Sequence, residues 1–247
     1  MSKKAKLISV LLALLLWQAA ATAIGYDILL VSPLRVLVRL SQLLGQAVFW
    51  RSILFSTLRI LCGFFAATLC GAVCAGLAAR FPLIETLLWP YVAVIRAVPI
   101  ASFIIISLIW LNSTQLAVFI SFLMVFPVLY SNLLQGLKST DTQLAEMAAL
   151  YRVPWGRKLL FIQLPQLEPY LLSACSISMG MAWKAGIAAE VIGIVSGSIG
   201  EKLYEAKVHF LTCDLLAWTV VIVVLSVLFE KSFLLLLRRL YGRLERL

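Results

Sequence analysis

The sequence predicts an all-α protein: a polytopic membrane helix bundle of about six transmembrane helices, with both termini on the cytoplasmic side. Of its 247 residues, 63% are hydrophobic and 13% are charged, and the mean hydropathy is +1.03. A soluble domain is about a quarter charged, so this composition indicates a membrane protein. Six apolar stretches are each long enough to cross the hydrocarbon core of a bilayer as a helix.

The six predicted spans have the approximate bounds 7–24, 53–79, 87–111, 115–134, 170–194 and 211–237. The first stretch also resembles a cleavable signal peptide, because lysines precede it and small residues end it. We expect it to be retained, because a six-span chain needs it to place both ends inside.

Basic residues give the bundle its predicted direction, because lysine and arginine accumulate in cytoplasmic segments. With the N-terminus inside, the inner segments hold Lys3, Lys4, Lys6, Arg80, Lys138, Arg152, Arg157, Lys158, Lys231, Arg238, Arg239, Arg243 and Arg246. The outer segments hold only Arg35, Arg39, Arg51, Lys202 and Lys207. The first outer segment is amphipathic over residues 32–44, and we expect it to lie along the membrane surface.

Small residues recur every four positions in two of the spans. The second span carries Gly63, Ala67, Gly71, Ala75 and Ala79, and the fifth carries Ala174, Ser178, Ala182 and Gly186. Lipid does not drive helices together, and small residues let their backbones approach closely. We predict that each stripe is a helix-packing face. The alternative is that small residues are simply frequent in spans.

Charged residues inside apolar spans are costly and are therefore candidates for a solute path. The candidates are Lys184 and its neighbour Trp183 in the middle of the fifth span, Glu190 further along that span, and Arg96 in the third. Lys184 and Glu190 should not share a helix face, because six residues turn the helix by about 600°. Lys184 either contacts the solute or fixes helix register through a charge pair. For Arg96, snorkelling to the inner surface is the favoured alternative.

Several functional classes lack the residues that they need. One histidine, His209, is too few for an H-E-x-x-H zinc site or a Ser-His-Asp triad. The five cysteines contain no C-x-x-C pair, so we predict no disulfide, metal or other cofactor. The chain has no G-x-x-x-x-G-K-[ST] motif, so any nucleotide hydrolysis belongs to another polypeptide. The net charge of +10 does not indicate nucleic-acid binding, because the basic residues flank apolar runs.

Residues 135–168 form the longest segment of mixed polarity, and they predict a docking surface. Asp141 or Thr142 can cap the start of a helix. Apolar residues then recur at helical spacing, at Leu144, Met147, Ala148 and Tyr151. Val153-Pro154 breaks this helix, and a second short helix over about 155–163 is expected to end at Leu164-Pro165. A passive loop between spans would be shorter and less patterned.

The same segment resembles the EAA loop of type I ATP-binding-cassette importer permeases, through Glu146-Met147-Ala148 and Ile162-Gln163-Leu164-Pro165. The resemblance extends over about residues 52–237 and is strongest to the nitrate/sulfonate/taurine-type branch. Its other motifs are Ser56-Thr57-Leu58-Arg59 with Gly63, Arg96-Ala97-Val98-Pro99, Ala182-Trp183-Lys184 with Ala189-Glu190, and Gly197 with Gly200.

This resemblance implies a permease that performs no covalent catalysis and works with three kinds of partner in a bacterial cytoplasmic membrane. They are two copies of an ATPase subunit, an extracytoplasmic solute-binding protein, and a second permease subunit, which we expect to be identical. A related, different permease is the alternative. The residues expected at the ATPase contact are Glu146, Met147, Ala148, Ala149, Arg152, Ile162, Leu164 and Pro165.

The resemblance also divides the chain. Residues 52–237 form the permease domain, preceded by the first span with its outer segment (1–51) and followed by a basic cytoplasmic tail (238–247). Two residues depart from the family's pattern: Met147 replaces an alanine, and Arg152 replaces a glycine. Glycine suits a turn with positive φ, so arginine either keeps that geometry at a cost of about 1 kcal/mol or the turn is rebuilt around Val153-Pro154.

Three other functions are alternatives to an importer. A transporter driven by an ion gradient predicts two related halves, and no convincing repeat is visible. A membrane enzyme needs a cluster of nucleophile, base or metal ligands, which the scattered carboxylates do not supply. A scaffold that only anchors partners would not need charges within its spans. The solute is expected to be small and anionic, although coupling residues do not name it.

Overall fold

The computed structural model describes residues 3–26, 28–139 and 141–244, which form helices and their connections without strands. In chain order the helices are α1 (Lys3–Ile24), α2 (Pro33–Leu44), α3 (Ala47–Arg80), α4 (Pro82–Ala97), α5 (Ile100–Trp110), α6 (Ser113–Lys138), α7 (Thr142–Leu150), α8 (Trp155–Lys158), a π-helical segment (Leu159–Gln163), α9 (Leu164–Ile192), α10 (Ile199–Val208) and α11 (Thr212–Leu244).

Among the described residues, four helices are long and apolar enough to cross a membrane. They are α3, α6, the continuous helix Gly156–Ile192 that includes α9, and α11 through Gly242. The pair α4 and α5 supplies a fifth candidate. In α1 the apolar stretch Ile8–Ile24 is shorter than these spans. The predicted all-α, multi-span bundle is therefore confirmed, with four or five candidate spans.

Helices α3, α6 and α9 form the centre of the bundle. Gly63 and Gly71 of α3 approach Val118 and Leu129 of α6 in the same order, so these two helices run parallel. Helix α9 runs antiparallel to both. The helix bundle therefore has two ends along its long axis. We call them the α7 end (α7, the end of α6 and the start of α9) and the α10 end (α2, α10 and the start of α11).

Both stripes of small residues face this centre. Gly63, Ala67, Gly71, Ala75, Ala174, Ser178, Ala182 and Gly186 are all buried, whereas Ala79 is exposed. A Cβ added at Gly63 would lie 2.4 Å from the carbonyl oxygen of Val118, and one at Gly186 would lie 2.5 Å from Cγ1 of Ile60. Neither site has room for a methyl group, so the helix separation depends on glycine there.

The prediction of one continuous third span over 87–111 is wrong. Helices α4 and α5 meet at an angle of 107°. Val98, the first of the two residues between them, is extended (φ −78°, ψ 132°) because Pro99 disfavours the helical conformation in the residue before it. The missing N–H of Pro99 also removes a helical hydrogen bond.

The second short helix was also predicted wrongly. It does not end at Leu164-Pro165, because α8, the π-helical segment and α9 join into a single helix, Gly156–Ile192, of 37 residues. Pro165 lies in the first turn of α9, directly after the π-helical segment. The π-helical segment changes the backbone hydrogen-bond pattern from i→i+4 to i→i+5 next to Pro165. Because proline has no backbone N–H, this change of pattern lets the helix continue past it.

Two helices are longer than the predicted spans. Helix α3 begins at Ala47 rather than near residue 53, and α11 extends to Leu244. The basic region from residue 238 is thus helical as far as it is described, and Arg246 of the predicted tail lies outside the described residues.

Helix α2 coincides with the predicted amphipathic segment. Its Val36 and Leu43 are buried, while Leu37 is 59% exposed. Arg39 donates two hydrogen bonds to Asp214 at the start of α11, one of them from Nη2 to Oδ2 at 2.9 Å. The hydrogen bond to Asp214 raises the pKa of the Arg39 guanidinium, so this ion pair ties α2 to α11 at ordinary pH.

Replacing Gly63 with alanine is expected to lower stability by about 1–3 kcal/mol, because the new Cβ forces α3 and α6 apart. Gly76→Ala on the same helix is the matched control, since nothing lies within 4 Å of its Cβ and alanine favours a helix. Thermal unfolding of the purified protein in detergent measures both variants. A midpoint for Gly63→Ala at or above that of Gly76→Ala would contradict the described packing.

Candidate functional site

Helix α7 begins where the sequence predicts, and Asp141 is its cap. Oδ1 of Asp141 accepts a hydrogen bond from the backbone N–H of Gln143 at 2.8 Å. The backbone N–H of Asp141 donates to Oε1 of Gln166 at 3.0 Å, and the hydroxyl of Ser139 donates to that of Tyr170 at 2.8 Å. These contacts attach the beginning of α7 to the first turns of α9.

Helix α7 presents large apolar side chains on its surface. Leu150 is 80% exposed, Tyr151 just beyond the helix is 75% exposed, and Met147 is 49% exposed. Glu146 is also exposed, whereas Ala148 is buried. Exposed apolar area on a helix that is not a span candidate is typical of a surface that contacts another protein or a membrane. The side chain of Ala149 lies outside what the structure describes.

Helix α7 ends in a left-handed turn at Arg152, whose φ is 50°. The N–H of Val153 donates to the carbonyl oxygen of Ala148 at 2.9 Å, which is the closing bond of a Schellman motif. Arg152 therefore keeps the geometry that suits the family's glycine, at a cost of about 1–2 kcal/mol. The other predicted contact residues, Ile162, Leu164 and Pro165, are partly buried in the π-helical segment and the first turn of α9.

One face of α9 is left open by the other described helices. Ser173, Ile177, Gly180 and Lys184 recur on it every three or four residues, and each is exposed or partly exposed. Lys184 makes no hydrogen bond or ion pair with any described residue. Because an ammonium group that faces lipid is costly, we expect this face to contact water or a polar partner.

Trp183, the second path candidate on α9, points into the subunit. It is 1% exposed, and its ring lies 5.9 Å from that of Phe229 on α11. Its indole Nε1 is buried and has no hydrogen-bond partner within the described residues. Trp183 therefore packs α9 against α11 and does not share the open face of Lys184.

Glu190, the third candidate, is completely buried and joins α9 to two other helices. Its Oε2 accepts hydrogen bonds from the hydroxyl of Ser56 on α3 at 2.7 Å and from the N–H of Gly200 on α10 at 3.3 Å. Ser56 in turn accepts from the N–H of Ile199 at 2.9 Å. A Cβ on Gly200 would lie 2.3 Å from that of Glu190, so only glycine permits this approach.

Two neighbours complete the surroundings of Glu190. Arg59 lies near Glu190 and stacks its guanidinium on Phe55, with Cζ 3.8 Å from the ring centroid. In the turn that follows α9, Ile194 has a φ of 46°, and the N–H of Val195 donates to the carbonyl oxygen of Glu190 at 3.1 Å. A β-branched residue in this conformation is strained.

Arg96, the last path candidate, lies on α4 and is bonded to α6. Its Nη2 donates to the carbonyl oxygen of Pro127 at 3.0 Å and to the hydroxyl of Ser131 at 2.7 Å. The structure therefore does not bring the four path candidates together. Lys184 lies on an open face, Trp183 and Glu190 lie inside the subunit, and Arg96 lies between α4 and α6.

Ser56 and Gly200 had no predicted role and were named only as motif residues of the resemblance. The one signal was Glu190 itself, because a buried carboxylate requires hydrogen-bond donors. Sequence could not say which helix supplies them, since Ser56 is 134 residues away along the chain.

The fold and these features define a multi-span membrane protein in which α7 exposes large apolar side chains and α9 has an open face that carries Lys184. A family model described as "Binding-protein-dependent transport system inner membrane component" matches residues 60–246. This match spans most of the chain, so the protein belongs to that family.

Individual relatives agree with this family. The chain is 26% identical to the taurine transport system permease protein of Escherichia coli, over 91% of this chain and 83% of the relative. It is 26% identical to the nitrate import permease protein of Synechococcus elongatus, over 62% and 55%. It is 24% identical to the riboflavin transport system permease protein of Chloroflexus aurantiacus, over 91% and 87%. The resemblance to importer permeases of the nitrate/sulfonate/taurine branch is confirmed.

Replacing Ser56 with alanine is expected to lower stability by about 1–3 kcal/mol, because Glu190 loses a donor and the N–H of Ile199 loses its acceptor. Ser52→Ala is the matched control one turn earlier on α3, since its buried hydroxyl has no partner among the described residues. Thermal unfolding in detergent compares the two. Equal decreases in the unfolding midpoint for Ser56→Ala and Ser52→Ala would show that the Glu190 contacts do not hold α10 in place.

Proposed function

We propose that this chain is the permease subunit of an ATP-driven importer for a small, anionic solute in a bacterial cytoplasmic membrane. Two identical permease subunits enclose the solute path, and two ATPase subunits bind the segment 135–168. An extracytoplasmic binding protein delivers the solute at the α10 end. The chain's part is mechanical coupling, and ATP is hydrolysed by the partner. Membership of a transport-system family supports this role.

The exposed surface of α7 is the observation that carries the proposal. Met147, Leu150 and Tyr151 have no covering within the described chain, yet α7 is fixed in place by the Asp141 and Ser139 contacts. A helix with an exposed apolar surface, held rigidly on a bundle, is suited to insertion into a groove of another protein. The exposed carboxylate of Glu146 adds a polar contact at this surface.

The proposed topology has six spans and places the α7 end in the cytoplasm with both termini. The first span is α1, and the bent pair α4 and α5 together make the third. Basic residues at the α7 end favour this direction, as retained cytoplasmic charge does in other membrane proteins. They are Arg80, Lys138, Arg157 and Lys158.

Helix Gly156–Ile192 supplies the mechanical link in this proposal. Its first turns hold α7 and pack tightly on α6, because a Cβ on Gly136 would lie 2.7 Å from Leu167. Lys184 lies 19 residues beyond Pro165, which is about 28 Å along the same helix. A movement that the ATPase imposes on α7 therefore reaches the face of Lys184 through one continuous helix.

The Glu190 contacts supply the corresponding link at the α10 end. They fix α10 to α3 and α9, so a protein that docks on α10 acts directly on the two central helices. The uncompensated charge of Lys184 favours an anion on the open face. Nitrate is an anion and taurine carries a sulfonate group, so these two relatives' names agree with this, whereas riboflavin indicates that cargo varies among the relatives.

Glu146→Lys is expected to abolish co-purification of the ATPase subunit, because it reverses a charge at the centre of the docking surface. The tagged protein is pulled down from detergent-solubilised native membranes, co-purifying chains are identified, and ATPase activity is assayed. Glu205→Lys on α10, at the other end, is the control and should keep the ATPase. If wild type brings down no subunit with a G-x-x-x-x-G-K-[ST] motif, a gradient-driven transporter becomes the leading account.

Lys184→Met is expected to reduce anion import at least about tenfold, because it removes the unpaired positive charge from the open face. Uptake of taurine, ethanesulfonate and nitrate is measured in proteoliposomes that contain the ATPase and the binding protein. Lys231→Met, which removes an exposed lysine on α11, is the control and should transport normally. Unchanged import by Lys184→Met would remove Lys184 from the path while leaving the docking of α7 untouched.

A further inference from the structure

A cavity of about 390 Å³ lies between α4 and α6, toward the α7 end. This volume is in the range of small-molecule sites, which are mostly apolar with a few placed polar groups. Trp89, Val92 and Ala93 of α4 supply apolar wall. The cavity is separate from the open face of α9 and has no part in the coupling described above.

Tyr130 supplies the first polar group in the lining of this cavity. It lines the cavity and is 4% exposed, yet its hydroxyl has no hydrogen-bond partner among the described residues. A buried hydroxyl left unpaired is costly, and most such groups have a partner. Its ring is fixed by stacking on Phe126, with the centroids 5.9 Å apart. Tyr130 therefore gives the wall of the cavity a fixed hydrogen-bond donor that has no acceptor among the described residues.

Arg96 supplies the second polar group. Both hydrogen bonds that the structure gives this side chain, to Pro127 and Ser131, come from Nη2. They anchor the guanidinium to α6 and leave Nε and Nη1 without a bond to the described residues. A guanidinium fixed in this way presents a planar pair of donors that fits two oxygens of a carboxylate, sulfonate or phosphate.

The remaining charges in the lining cancel. Nζ of Lys138 lies 2.6 Å from both carboxylate oxygens of Glu85, so this pair satisfies itself. Arg96 then leaves the lining with one net positive charge, which favours an anion over a cation. The side chain of Lys138 is 51% exposed, so the cavity is accessible from the α7 end.

We propose that this cavity is an oxyanion-binding site, in which Arg96 and Tyr130 hold the anionic group and the wall at Trp89 covers an apolar body. Two sources share this chemistry: the headgroup of an anionic membrane lipid and a soluble organic anion. Basic pockets between membrane helices on the cytoplasmic side are known to take lipid headgroups. Occupation of the site does not depend on Lys184 or on ATPase docking.

The test measures binding to the full-length protein purified in detergent, so it does not require transport. Ethanesulfonate is titrated calorimetrically as the soluble probe. Phosphatidylglycerol is compared with phosphatidylcholine by native mass spectrometry as the lipid probe. Tyr130→Phe removes only the hydroxyl, and Ala93→Leu fills the cavity without touching Arg96. Tyr91→Phe, on the exposed surface of α4, is the matched control, and Lys184→Gln tests whether the probe binds at the open face of α9 instead.

At least one probe is expected to bind wild type, with an affinity reduced about tenfold or more in Tyr130→Phe and Ala93→Leu and unchanged in Tyr91→Phe. Binding of ethanesulfonate with this pattern assigns a soluble anion, and binding of phosphatidylglycerol alone with this pattern assigns a lipid. The proposal is overturned if neither probe binds. It is also overturned if Tyr130→Phe and Ala93→Leu bind like wild type, or if only Lys184→Gln loses binding.

Discussion

The close approach of α3, α6 and α9 is the constraint on which the rest of the structure depends. Lipid offers no hydrophobic gain for bringing helices together, so these helices associate through direct backbone contact. Gly63 and Gly186 permit that contact, and the hydroxyl of Ser121 donates across it to the carbonyl oxygen of Ala182 at 3.1 Å. Because the three helices are fixed in rotation, every other side chain on them has a fixed direction.

That fixed rotation gives Lys184 and Glu190 of α9 opposite environments. Lys184 faces outward from the chain with no partner among the described residues, whereas Glu190 faces α3 and α10 and is completely buried. The first arrangement suits contact with a mobile solute or a second subunit. The second suits a permanent joint, in which a carboxylate satisfies donors from two other helices. One helix thus combines an open face with an anchor.

Three helices end in a left-handed residue that is not glycine, at Arg152, Ile194 and Phe210. Each turn is closed by the i→i−5 bond of a Schellman motif, and each carries strain that a glycine would relieve. Arg152 follows α7, while Ile194 and Phe210 flank α10. The strain therefore lies at the two ends of the molecule, where partner proteins are proposed to bind.

The sequence by itself determined the class of protein, the approximate positions of most spans, the capped helix α7 and the family, because hydropathy, caps and contiguous motifs are local properties of the chain. It also showed that Lys184 and Glu190 lie on different faces, since helical geometry alone requires this. Only the tertiary structure decided that Glu190 meets Ser56 and Gly200, that Arg96 reaches α6, and that Lys184 is left open. Those outcomes depend on how the helices are rotated and bent against one another, which is a property of packing between residues far apart in sequence.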